Sequence, residues 1–150
     1  MKKIFLLSAL FTITLASMAQ TQVRNPKTHL EILNDKYASG LFKNADGTIF
    51  DLENENVQAY FNILDWLEGR VAGLQVFVSR SGARIPVIRG SVAAIYVDEM
   101  RMDPSILNSI SVNDIAMIKV IKGPFVGAVG NGGGGTIAIY TFKGDDEEED

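Results

Sequence analysis

Two short apolar runs, Ile115–Ile121 and Thr136–Phe142, constrain this chain more than any other feature. Each is rich in β-branched residues, too short for a typical helix and bounded by glycine, which is how buried strands read. In the first run both parities are apolar: Ala116, Ile118 and Val120 on one side, Ile115, Met117 and Ile121 on the other. A strand without a polar face has to be covered on both faces. The connection between the runs opens with Gly123-Pro124 and closes with Gly132–Gly135. A phosphate-binding loop would need Gly-Lys-Ser/Thr opening a helix, whereas these glycines lead into a strand. They are read as positions of positive φ or close backbone packing.

The N-terminus carries a targeting pattern. Lys2 and Lys3 precede an apolar stretch, Ile4–Leu15, and the small-residue site Ser17-Met18-Ala19. This predicts a signal peptide over residues 1–19, and an exported chain, periplasmic or outer-membrane associated, starting at Gln20. The apolar stretch is shorter than the roughly 20 residues a membrane span needs, so no transmembrane span is expected. The absence of cysteine rules out a disulfide framework, a thiol nucleophile and a cysteine metal site. Stability has to come from a packed core.

Charge is unevenly placed. Without Lys2 and Lys3 the bases fall from 14 to 12 against 18 acids, and the excess equals the six acids of Asp145–Asp150. The body is therefore neutral, which argues against a nucleic-acid partner. The acidic tail, residues 145–150, is read as solubilising rather than as a calcium site.

Along the chain, residues 20–56 are polar and broken by Pro26, Gly40 and Gly47, with Leu30–Leu33 and Leu41-Phe42 as apolar anchors. They are read as a partly mobile lead-in that docks one short element, with Asn44–Gly47 a turn. Val57–Leu67 has the clearest helical period: Val57, Tyr60, Phe61, Ile63, Leu64 and Leu67 form one face, ended by Gly69. Trp66 belongs to this stretch and is read as a core residue. Leu74–Val78 and Ile85–Ile88 read as short strands around a Ser81-Gly82-Ala83 turn, and Asp103-Pro104 starts a short helix over Ser105–Ile110.

Several of these pieces match one known pattern. Asp114-Ile115, Ile118, Val120 and Lys122-Gly123-Pro124, then Gly127–Gly130, then Gly134-Gly135-Thr136-Ile137 through Thr141 stand in the order and spacing of the plug domain of TonB-dependent outer-membrane receptors. The resemblance is strongest to the SusC-like branch. Ile88-Arg89-Gly90 resembles that family's "I-R-G" motif, Tyr96-Val97-Asp98 its "Y-V-D" strand, and Leu67–Leu74 the end of its first helix. The family follows that aspartate with glycine; Glu99 stands here instead, so a different local turn is expected. The fold expected is an α/β plug over residues 57–144, a small mixed sheet with one main helix and short inserted helices. Receptors of this type close a barrel of about 22 strands around the plug, and this chain is read as a plug without its barrel.

The candidate contact residues are arginines. Arg80, Arg84 and Arg89 fall around one turn, with Arg101 nearby; guanidinium groups there suit a carboxylate clasp. The resemblance implies that Arg89 packs against a barrel wall through acidic partners, and Asp98 is an alternative partner within the chain. Asp98 and Glu99, adjacent on a strand, would face opposite ways and make a poor acid–base pair. His29, the single histidine, is read as neither catalytic nor a metal ligand. No catalytic residue, cofactor or metal is expected. The function expected is a non-enzymatic binding or accessory module of the periplasmic side of a Gram-negative outer membrane, tied to TonB-dependent uptake, with an outer-membrane barrel or other envelope protein as partner. The alternatives are a split or remnant receptor half that needs a separate barrel chain, and a free-standing periplasmic ligand binder.

Overall fold

The computed structural model describes residues 26–123 and 133–143. The predicted signal peptide, most of the glycine-rich connection and the acidic tail lie outside the described residues. The two apolar runs form β7 (Ile115–Lys122) and β8 (Gly135–Thr141), paired antiparallel. They lie inside a five-stranded sheet. β1 (Thr48–Asp51) flanks β7, while β5 (Ala94–Val97) runs parallel to β8 and carries β6 (Met100–Met102) at the far edge. A second, antiparallel sheet holds β2 (Leu74–Val78), β3 (Arg84–Ile88) and β4 (Ser91–Val92). The chain is thus a mixed α/β fold in which strands dominate.

Both faces of the large sheet are covered, as the apolar parities require. Ile95, Val97, Ile115, Ile118, Val120, Ile137 and Ile139 face one core. It is closed by Leu64, Trp66 and Leu67 of α2 (Ile63–Leu67), by Leu107 of a 3-10 helix at Pro104–Asn108, and by Leu74 and Ile88 of the small sheet. Ala94, Tyr96, Ala116, Met117, Ile121, Ala138 and Tyr140 face a second core, closed by Leu33, Tyr37, Ala38 and Phe42. The expected face assignment of β7 is corrected at one point: Ala116 shares a face with Met117, and Ile115 with Ile118. The cause is a register shift between Ile115 and Met117 against β8, an inserted residue that flips parity on one side of it.

The predicted helix is shorter than its periodicity suggests. It begins at Ile63 because Asn62 caps it, accepting the Leu64 N–H at 2.9 Å. The same side chain, buried, donates to Leu107 O at 3.2 Å and Asn108 Oδ1 at 3.0 Å. Asparagine favours such a cap over a helix interior. The residues before it leave the helical face: Val57 is buried, yet Phe61 is 98% exposed. Gly69, at φ 90°, ends the helix.

Residues 26–47 carry more order than their composition suggests. His29–Tyr37 form α1, the longest helix among the described residues, opened by a reciprocal capping box between Thr28 and Glu31. α1 and the turn after it lie across the second face of the large sheet, where Phe42 meets Tyr96 edge-on at 4.9 Å between ring centroids. Burial of Leu33, Tyr37 and Phe42 contributes about 1.5–3 kcal/mol each.

Candidate functional site

Arg89 sits where the sequence motif and unusual backbone geometry coincide. β3 and β4 are joined by Arg89-Gly90, with Ile88 paired to Ser91. Both turn residues have positive φ, 53° and 82°, as a two-residue hairpin turn of the mirror-image type requires. Arginine in this region costs about 1–2 kcal/mol, so its surroundings have to hold it there. Two contacts do so. The Arg89 N–H donates to Gly73 O at 3.1 Å. Gly134 presses on the same turn so closely that a Cβ there would lie 2.1 Å from Ser91 O and 2.7 Å from Ile88 O. The Arg89 side chain is left exposed, without an ion pair among the described residues.

The four candidate arginines do not form one clasp. Arg84 opens β3 and Arg89 follows its end, so five residues of extended strand, roughly 16 Å, separate them. Arg80 belongs to the β2–β3 turn, at Arg84's end. Arg84 donates through Nε to Asp65 Oδ1 at 2.8 Å, which ties the hairpin to α2. Arg101 lies in β6 opposite Tyr96 and lines an open cleft of about 410 Å³ with Val92, Ala93 and Asp103. Asp98, the alternative partner for Arg89, is engaged elsewhere: its carboxylate accepts the Thr141 N–H at 3.0 Å and Oγ1–H at 2.8 Å.

Asp98 and Glu99 are not on a strand. They form the two-residue turn between β5 and β6, with Val97 paired to Met100 and φ of 47° and 65°. A glycine would sit there without strain; Glu99 instead makes contacts that glycine cannot. Its carboxylate accepts the Ser39 N–H at 2.7 Å, Ser39 Oγ–H at 2.8 Å and Leu41 N–H at 3.4 Å, with Tyr140 Oη at 3.4 Å. Burial alone would raise its pKa, but the hydrogen bonds from Ser39, Leu41 and Tyr140 outweigh it and hold the carboxyl below its usual range. The Tyr140 hydroxyl is pushed well above the usual tyrosine value, by burial first and by Glu99 beside it second.

Sequence reasoning missed Lys119. It is 2% exposed in the middle of β7, and its ammonium donates to Phe42 O at 2.7 Å, Asn34 Oδ1 at 2.9 Å and Lys43 O at 3.2 Å. Burial lowers its pKa, with Asp46 acting the other way. The available signal was a lysine inside a strand whose two faces are otherwise apolar. His29 pairs with Asp51 at 2.7 Å, and Asp51 also accepts the Glu53 N–H and an Asn54 Nδ2–H. Trp66 is fully buried, with Phe50 edge-on at 5.6 Å and the Arg70 guanidinium over its ring at 4.4 Å. Among the described residues no group of three His, Cys, Asp or Glu is arranged to hold a metal ion, and no helix is long and apolar enough to cross a membrane.

Comparison with known proteins fits this geometry. The family model for the TonB-dependent receptor plug domain matches residues 45–137, a stretch that includes Arg89 and β1 through β7. No curated protein matches. Among solved structures, the RagAB peptide importer in the closed-closed state is 24% identical, with a TM-score of 0.53 over 69% of this chain and 13% of that one. The siderophore receptor PirA from Acinetobacter baumannii is 21% identical, with a TM-score of 0.54 over 65% of this chain and 17% of that one. The ferric yersiniabactin uptake receptor FyuA from Yersinia pestis is 22% identical, with a TM-score of 0.52 over 68% of this chain and 18% of that one. These likenesses concern the fold, and the chain spans less than a fifth of the length of each of those structures. With more than half of its residues matched by the family model, the chain belongs to the family of TonB-dependent receptor plug domains.

Proposed function

We propose that the chain is a non-enzymatic plug module that works at the periplasmic side of the outer membrane in TonB-dependent nutrient uptake, by docking against the wall of an outer-membrane β-barrel. The observation that carries this reading is Arg89, held at φ 53° and presented to solvent by a turn that Gly73 and Gly134 grip. Strain maintained at an exposed charged residue points to a binding role. An arginine so presented suits bidentate pairing with a carboxylate on a partner surface. The exposed apolar side chains Phe77 and Val78 on β2, which is paired to β3, extend the surface available for docking. Exported and envelope-associated, the module turns over no substrate; it acts by binding.

The test is capture from outer-membrane extract with wild type and Arg89→Ala, after thermal melts show that both are folded. Removing one partner of an interfacial charge pair costs about 2–5 kcal/mol. An outer-membrane β-barrel protein should therefore be retained by wild type and lost from the variant. Equal capture by both would remove Arg89 from the mechanism. Capture of no barrel protein, alongside direct binding of a small glycan or peptide, would favour a free-standing periplasmic binder instead.

A further inference from the structure

Besides the His29–Asp51 pair with β1 and the Lys143 ammonium on Lys36 O, two side chains of opposite charge hold residues 28–43 to the five-stranded sheet. Lys119, from the middle of β7, donates to Asn34 Oδ1 and to the carbonyls of Phe42 and Lys43. Glu99, from the β5–β6 turn, accepts from Ser39 Oγ and from the backbone N–H groups of Ser39 and Leu41. The irregular backbone after α1 thus has its carbonyls served by a cation and its amides by an anion, both supplied by the sheet. Glu99 does this from a left-handed turn position, φ 65°, that glycine would occupy without strain.

The packing beneath is separable. Leu33, Tyr37, Ala38 and Phe42 belong wholly to the core on the second face of the sheet, whereas α2 and the small sheet close the other core. Lifting residues 28–43 would leave that other core intact, because none of its residues comes from this segment. It would bare Tyr96, Met117 and Tyr140 on the sheet. We infer that residues 28–43 form a strap that opens from the sheet as one unit, with Glu99 as its latch. Stability need not be uniform across a fold, and a contiguous segment packed on one face is the kind of unit that opens before the rest. The device is independent of the barrel-docking reading above.

Amide hydrogen exchange followed residue by residue tests this on the full chain. In wild type, the Ala38 and Lys43 amides, bonded to Asn34 O and Ser39 O, should exchange together and faster than the amides of β8. In Glu99→Gly the turn keeps a residue suited to positive φ while the latch is gone. Strap exchange should then rise about tenfold or more, with β8 unchanged, and Glu99→Gln, which keeps one carbonyl acceptor, should fall between. Strap and β8 amides exchanging at one common rate in wild type would overturn the proposal. So would a rise in both by the same factor in Glu99→Gly, or no change in the strap.

Discussion

Replacing Lys119 by methionine removes a buried cation while keeping nearly the same shape. The structure allows the cost to be followed acceptor by acceptor. Phe42 O would keep the Ala45 N–H at 3.1 Å, and Lys43 O would keep the Asn34 Nδ2–H at 2.9 Å. Only Asn34 Oδ1 would lose its partner, and Asn34 is half-buried, within reach of water. Against this stands relief from burying the ammonium, which depresses the Lys119 pKa. The balance is a destabilisation of about 1–2 kcal/mol, since hydrogen bonds to charged groups are worth about 1.5–3 kcal/mol and the desolvation relief offsets part. Lys119→Glu points an anion at three oxygens in the same site and should cost at least about 3–5 kcal/mol, a large part of the 5–15 kcal/mol typical of a domain. Urea unfolding followed by the fluorescence of Trp66 reads both. Equal losses for the two variants, or a methionine cost near that of glutamate, would refute the assignment of Lys119 as a fully served buried cation.

Other perturbations follow from the same geometry. Ile118→Asp places an unpaired carboxylate in a fully buried position and should cost more than about 4 kcal/mol, whereas Phe61→Ser at an exposed position should stay within about 0.5 kcal/mol in the same thermal melts. Glu99 has a folded-state pKa below its ordinary value of 4.5, so its contribution is present above that value and lost as pH falls through the lowered one. Asp98, Tyr140 and Lys143 share its cleft. The stability advantage of wild type over Glu99→Gln, measured by urea titration at a series of pH values, should therefore shrink only on the acid side of 4.5; an advantage that shrinks toward alkaline pH would contradict the assignment. Gly134→Ala drives a Cβ into Ser91 O and Ile88 O and should lower stability by about 1–3 kcal/mol, while Gly40→Ala, with nothing within 4 Å, should be nearly silent on denaturant unfolding.

The interior of the sheet was legible because β7 and β8, Lys119 apart, are apolar on both parities, whereas the edge strand β1 lies within residues 20–56, read as a lead-in because their composition is polar. The β2–β3 hairpin was legible for a related reason: two strand-like runs flank a serine-glycine turn. Three further features were not. The bulge at Ile115–Met117 leaves no compositional trace, since it exchanges one apolar residue for another. The start of α2 was masked because residues 57–61 carry helical periodicity, yet Asn62 finds buried partners on Leu107 and Asn108, far away in sequence. α1 was readable in principle from the Thr28–Glu31 capping box, but its polar surroundings suggested a lead-in. For the site, the motif at Ile88-Arg89-Gly90 pointed to Arg89, and the departure from glycine at Glu99 pointed to an altered turn. That Glu99 would tie down Ser39 depends on a contact 60 residues away in sequence, which local pattern does not carry.

Docking of the plug domain on a barrel wall through the Arg89 turn can be read directly by photo-crosslinking with Arg89 kept in place. A photoreactive amino acid at exposed Val92, on β4 beside the turn, is introduced in intact cells, with a second variant labelled at exposed Phe61 as the reference position. An adduct with an outer-membrane β-barrel protein is expected from position 92 and not from position 61. An adduct from position 92 only with soluble periplasmic proteins, or the same barrel adduct from both positions, would overturn the reading.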